Sequence, residues 1–288
     1  GRLTMLELLT QLVAIVITVV LAAWMQSVWA LVIGGVIGTA VSVLVIHLGM
    51  PGHRNRFRIA PGPMAELMSF GRWIFLSTIA GFLIFQGDRL VLGRYLTLQD
   101  LGIYNIAYFL GSVPSLLGAA IAGRLFIPLY RDVLPRGEPQ NAGQIARVRL
   151  RLNLFLIMAV AMLALGGPWL VRVLYDPRYE MAGHLVMMIA LIQIPALVTL
   201  GYEAVPLARG DSRRLFMVQA TRAVVYILCL LVGAHNWGLY GALGGQATAG
   251  VILYPVTVAV ARHYHAWSPR TDLVLAGVGA LVVALAWA

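Results

Sequence analysis

The chain has 288 residues, of which 60% are hydrophobic and 11% charged, and its formal net charge is +10. Soluble domains carry about 25% charged residues, so the composition excludes a water-soluble fold and leaves a polytopic membrane protein. The basic excess sits in short segments beside apolar runs, where it sets topology and meets lipid headgroups, and it is not read as a nucleic-acid surface.

Nine apolar runs follow in order, each about long enough to cross a hydrocarbon layer. They cover about 6–24, 28–48, 70–92, 101–121, 152–174, 181–202, 215–234 and 239–261, and the ninth starts near Leu273. Near-continuous hydrophobicity predicts helices and not alternating barrel strands. The expected fold is therefore an all-α integral membrane protein. All 21 basic residues are arginines, and 17 of them fall in one set of alternate gaps. Only Arg89, Arg94, Arg172 and Arg178 fall on the other side. The positive-inside rule makes the arginine-rich side cytoplasmic, which predicts a cytoplasmic N-terminus.

After the second run, residues 49–69 hold Pro51, Pro61 and Pro63 with Arg54, Arg56 and Arg58, and they read as a linker. A short internal similarity supports that division. Arg2-Leu3-Thr4-Met5 and Arg214-Leu215-Phe216-Met217 each enter a run, and glycine-rich runs beginning at Trp29 and Trp237 follow them. The expected organisation is the end of one lobe (1–48), a cytoplasmic linker (49–69), a six-helix lobe (70–261), and a loop leading into an additional helix (262–288). Gly1-Arg2-Leu3 enters an apolar run without an initiator Met, and the chain is expected to be an N-terminally truncated piece of a longer protein.

Polar groups inside the runs are the candidate functional residues, because charge at membrane depth is costly and usually faces a partner or a wet cavity. Asp88 and Arg89 close the third run, within reach of Gln86 and of Asn105 on the next. They read either as cavity groups or as an interfacial cap with Arg89 snorkelling. Pro114 predicts a kink. Arg124 reads as a phosphate receiver or as a topology anchor. Gln193 lies mid-run, two residues before Pro195. Glu203, near Arg209, reads as an ion pair or as a proton or cation site. Arg222, about two turns into the seventh run, points into a lobe interface or snorkels. The six histidines are scattered and Cys229 stands alone, so no metal site, cofactor or catalytic residue is expected. Gly34 to Gly38 reads as close helix packing.

Phe70-Gly71-Arg72-Trp73, Gln86-Gly87-Asp88-Arg89-Leu90-Val91-Leu92-Gly93, Leu101-Gly102-Ile103-Tyr104-Asn105-Ile106-Ala107 and Pro128-Leu129-Tyr130 follow in that order. This series resembles the Wzx-type, RfbX-like polysaccharide repeat-unit flippases of the multidrug/oligosaccharidyl-lipid/polysaccharide exporter superfamily. The resemblance implies part of a two-lobe, 12–14-helix, MATE-like transporter. The nine runs take the places of helices five to thirteen, and helices one to four are missing. It implies alternating-access transfer of undecaprenyl-pyrophosphate-linked oligosaccharide from the cytoplasmic to the periplasmic leaflet. Asp88, Arg89, Arg124 and Arg222, with Gln86, Asn105 and Gln193, are the candidate cavity residues, and Asp88 and Glu203 the candidate coupling groups. Expected partners are the lipid-linked oligosaccharide, membrane lipids, and a polymerase and glycosyltransferases. A cation-coupled multidrug antiporter of the same superfamily and a non-transporting scaffold of a glycan-synthesis complex are the alternatives. The short outer loops argue against a membrane glycosyltransferase or polymerase.

Overall fold

A computed structural model describes residues 2–49, 61–133 and 139–287, and it divides into two compact units, Gly1–Pro61 and Gly62–Ala288. Every regular element among the described residues is helical. Most of the expected linker, with Arg54, Arg56 and Arg58, lies outside the described residues. From Pro61 onward the chain is already helix.

The first unit is a helical hairpin of α1 (Arg2–Met25) and α2 (Trp29–Gly49). Its contact face is made by two glycines one turn apart. A Cβ on Gly34 would lie 2.6 Å from Thr18 Oγ1, and one on Gly38 would lie 2.6 Å from Ala14 Cβ. The Thr18 hydroxyl donates to the Ala14 carbonyl at 2.8 Å, so no donor is left bare between the helices.

The second unit opens with α3 (Pro61–Tyr95), followed by α4 (Leu98–Gly111) and α5 (Val113–Val133). Next come α6 (Pro139–Leu174), α7 (Glu180–Leu191), α8 (Ile194–Thr199) and the short α9 (Ala204–Ala208). It ends with α10 (Ser212–Ile252), α11 (Tyr254–His263) and α12 (Pro269–Trp287). Three expected single spans are broken in the middle. The breaks fall at Ser112, at Ile192-Gln193 and at Leu253, each one to three residues before Pro114, Pro195 or Pro255. Proline has no N–H, and its ring pushes against the carbonyl four residues back, so each helix restarts there.

The 41 residues of α10 are too long for one crossing. Trp237 and Gly238 leave the helical region, and Gly238 takes φ 58°, ψ −137°, which glycine alone tolerates readily. The chain folds back on itself at this point. A Cβ on Gly241 would strike the Gly233 carbonyl oxygen, and one on Gly245 the Cys229 carbonyl oxygen. The two arms are therefore antiparallel and touch backbone to backbone. Among the described residues eight helical stretches are long and apolar enough to cross a membrane, and the longest, Ser212–His263, holds both arms. The chain is thus a multi-pass membrane protein. Its lipid-sized outer surface is apolar, with Phe82, Met162, Leu165 and Trp169 all exposed.

Three buried clusters fill the second unit. Tyr104, Leu185, Ile189, Leu230 and Leu243 pack α4, α7 and both arms of α10. Leu156, Val160, Leu197 and Leu275 join α6, α8 and α12. Phe126, Tyr130, Ile145 and Val205 join α5, α6 and α9.

One ion pair is buried among these clusters. Arg149 on α6 is 1% exposed, Asp272 on α12 is 2% exposed, and the two side chains bond directly. Asp272 also accepts from Tyr202 OH (3.0 Å), Tyr254 OH (3.0 Å) and Trp267 Nε1 (3.1 Å). Arg149 donates to the Val198 carbonyl at 2.7 Å and stacks 3.8 Å from the Tyr202 ring centroid. Arg149 belongs to the arginine-rich side, yet it is no loop anchor, because α6 begins 13 residues before the expected span and carries it inside the fold.

Candidate functional site

The interrupted helices surround a cleft of about 290 Å³ inside the second unit. Its walls come from α3 (Ile84, Phe85), α4 and α5 (Tyr108, Ser112, Ser115), the α7–α8 break (Ile192, Gln193), and the arms of α10 (Arg222, Tyr226, Gln246). Each of the three breaks contributes a residue to the lining: Ser112, Gln193 and Leu253. The Gln193 amide donates to the Gly111 carbonyl at 3.1 Å, so one break is tied to the carbonyl end of another helix.

Arg222 supplies positive charge to the cleft. Its guanidinium forms an ion pair with Glu203 and donates to Thr257 Oγ1 at 3.4 Å. The arginine side chain is 13% exposed and the glutamate 45%. Glu203 thus pairs with Arg222 and not with Arg209, its neighbour in sequence. The reason is geometric: Glu203 precedes α9 and faces the cleft, where Gln219, Arg222 and Thr257 lie around it.

At the other end, Asp88 is 0% exposed and lies one layer behind the lining. Tyr104 OH donates to its Oδ2 at 2.6 Å, the Arg89 backbone N–H donates to its Oδ1 at 2.8 Å, and Gln246 in the lining donates to Tyr104 OH at 3.5 Å. A chain of polar contacts therefore runs from the cleft through Gln246 and Tyr104 to the carboxylate. Arg89 turns away from Asp88. Its Nη1 donates to Gln86 Oε1 at 2.6 Å, its Nε donates to Asn105 Oδ1 at 2.9 Å, and its guanidinium lies 5.3 Å from the Tyr108 ring centroid. Tyr108 is itself part of the lining.

Of the residues singled out in the sequence, Gln193, Glu203 and Arg222 come together in the cleft. Asp88 reaches it through Tyr104 and Gln246, and Arg89, held by Gln86 and Asn105, reaches it through Tyr108. Arg124 is exposed on α5, outside the lining, because Ala122 and Phe126 are the residues that α5 turns inward. Tyr104 stood in the quoted series without a role, and Tyr108, Tyr226 and Gln246 were not singled out. The sequence signal nearest to them is the proline series, which marks where helices open toward a cavity. Among the described residues no three His, Cys, Asp or Glu side chains converge on a point where a metal would sit.

Comparison with known proteins places the chain. Residues 1–184 match the family model described as "Polysaccharide biosynthesis protein". The chain is 25% identical over 229 residues to the amylovoran biosynthesis protein AmsL of Erwinia amylovora, covering 78% of this chain and 58% of that protein. It is 23% identical over 264 residues to the succinoglycan biosynthesis transport protein ExoT of Rhizobium meliloti (strain 1021), covering 91% of this chain and 51% of that one. It is 24% identical over 161 residues to the lipopolysaccharide biosynthesis protein WzxC of Escherichia coli (strain K12), covering 56% and 31%. The chain thus spans about half the length of the first two relatives. No solved structure matches it. With a family model matched over well more than half its length, the chain belongs to the polysaccharide biosynthesis protein family.

Proposed function

We propose that the chain forms part of a transporter that moves lipid-linked oligosaccharide repeat units, carried on undecaprenyl pyrophosphate, between the leaflets of a bacterial inner membrane. In this reading residues 1–48 close a first lobe and residues 70–261 form the second, with the arginine-rich side cytoplasmic. The cleft of the second unit receives the charged end of the substrate. Its about 290 Å³ lies at the lower limit of ligand pockets, about 300–1,000 Å³. It accommodates a diphosphate with an adjoining sugar and leaves the remaining sugars to the other lobe.

The observation that carries this reading is the Arg222–Glu203 pair in the cleft. A guanidinium held at membrane depth needs an anion, and its fork matches phosphate oxygens. Glu203 fills that place when no substrate does. The incoming diphosphate exchanges one anion for another, so Arg222 is never left bare. Asp88, reached through Gln246 and Tyr104, is the candidate coupling group. The test is export by the full-length protein carrying Arg222→Gln in a strain that lacks its own transporter. Loss of export with a normal amount of folded protein in the membrane is expected, together with weaker binding of an undecaprenyl-diphosphate probe. Wild-type export and binding would overturn the reading. A cation-coupled antiporter is favoured by one feature, the fully buried Asp88 carboxylate, which has no guanidinium partner among the described residues. Efflux of cationic drugs that is lost in Asp88→Asn would select it.

A further inference from the structure

The Phe70-Gly71-Arg72-Trp73 segment takes no part in the cleft. Trp73 on α3 packs against Phe216 on α10, with ring centroids 5.5 Å apart. That aromatic contact brings two arginines from two helices onto one indole. The guanidinium carbons of Arg72 and Arg213 lie 5.3 Å and 5.8 Å from the Trp73 ring centroid. Both arginines are exposed, and among the described residues neither lies within ion-pair distance of a carboxylate. The acid nearest to Arg213 in sequence, Asp211, is already engaged by Arg214 and by the Tyr264 hydroxyl.

The surroundings are equally specific. Arg213 is the second residue of α10, at the arginine-rich end of the unit. Next to the pair, α3 and α10 expose Leu67, Met68, Phe75 and Met217. A cationic pair beside a half-buried tryptophan, bordered by bare apolar side chains, is the complement of an amphiphile with an anionic head. Two guanidinium groups supply charge-assisted bonds to phosphate oxygens, and the exposed apolar residues lie alongside acyl chains.

We propose that the seam of α3 and α10 binds the phosphate headgroup of an anionic glycerophospholipid of the membrane. The phosphodiester is shared by Arg72 and Arg213, and the acyl chains run along α3. Because each arginine comes from a different helix, the bound lipid fastens α3 to α10.

The experiment uses the full-length protein with Trp73 as its one tryptophan, the others replaced by phenylalanine, in nanodiscs of zwitterionic phosphatidylcholine. It is titrated with phosphatidylglycerol carrying brominated acyl chains and read by quenching of Trp73 fluorescence. Saturable quenching is expected. Near-surface arginines contribute enough to anionic-lipid binding that losing both in R72Q/R213Q raises the half-saturation point about 30-fold. R72K/R213K, which keeps the charge, retains most of the binding. R131Q/R270Q, which removes two exposed arginines elsewhere, titrates like the wild type. If R72Q/R213Q does not fold, the single variants R72Q and R213Q carry the same test, each with a shift of about five-fold. The proposal is overturned if R72Q/R213Q titrates as the wild type, or if R131Q/R270Q loses as much, which would mean a diffuse surface charge. It is also overturned if undecaprenyl diphosphate saturates the quenching or protects Trp73 while phosphatidylglycerol does not, because the seam would then be an entry point for the transported lipid.

Discussion

Replacing Asp272 by leucine leaves Arg149 charged, 1% exposed and without its carboxylate. Removing one partner of a buried ion pair costs about 3–5 kcal/mol, because the remaining charge is uncompensated. Tyr202, Tyr254 and Trp267 lose their acceptor at the same time. For a unit of roughly 200 residues each kcal/mol shifts the melting temperature by about 2–4 °C, so a fall of about 6–20 °C is expected. The assay is thermal unfolding of the purified protein in nanodiscs, with proteolysis of the loop before α12 as a local readout. Asp272→Leu speeds cleavage there, since the pair joins α12 to α6. The double variant Arg149→Met/Asp272→Leu recovers most of the loss, because apolar residues of similar volume often replace a buried pair at little cost. A double variant as unstable as the two single losses combined would refute the reasoning. So would a single variant that melts within about 2 °C of the wild type, less than one kcal/mol on the same scale.

Three further outcomes follow from the same structure. Glu203→Gln removes the anion that competes for Arg222, so an undecaprenyl-diphosphate probe binds more tightly while turnover falls. Weaker binding would contradict the exchange described above. Gly238→Ala forces a side chain into φ 58°, ψ −137°, at a cost of about 1–3 kcal/mol, seen as a melting temperature several degrees lower; an unchanged value would mean that the turn relaxes. In the loop after α6, the Arg178 backbone N–H and guanidinium hold the Asp176 carboxyl below its ordinary value. A depressed folded-state pKa gives stability that is present above the ordinary value, near 3.9, and fades as pH falls through the depressed one. Asp176→Asn therefore lowers the melting temperature slightly and equally between pH 5 and 8, and the difference closes in stronger acid. A difference that grew in acid would reverse the sign.

The crossings were legible because a hydrocarbon layer demands long apolar runs, and Pro114 announced one of the three breaks. Gln193, Glu203 and Arg222 stood out because polar groups are rare in such runs. Tyr104, Tyr226 and Gln246 did not, since tyrosine and glutamine in an apolar helix look alike whether they line a cavity or face another helix. The Arg149–Asp272 pair was invisible for a different reason. Its members are 123 positions apart, and counting arginines by side treats each as a topological marker with no partner. The fold-back at Trp237-Gly238 was expected as a short loop. The closeness of the arms was not, because it depends on Gly233, Gly241 and Gly245 meeting in space.

That closeness has a mechanical meaning. Two helices with carbonyl oxygens where a Cβ would have to go have no layer of side chains on which to slide. Arg222 on one arm and Gln246 on the other therefore keep a constant spacing across the cleft. The walls built on the breaks before Pro114 and Pro195 lack that restraint and can bend. The cleft thus sets one rigid wall, the α10 hairpin, against walls of α4–α5 and α7–α8 that each carry a joint.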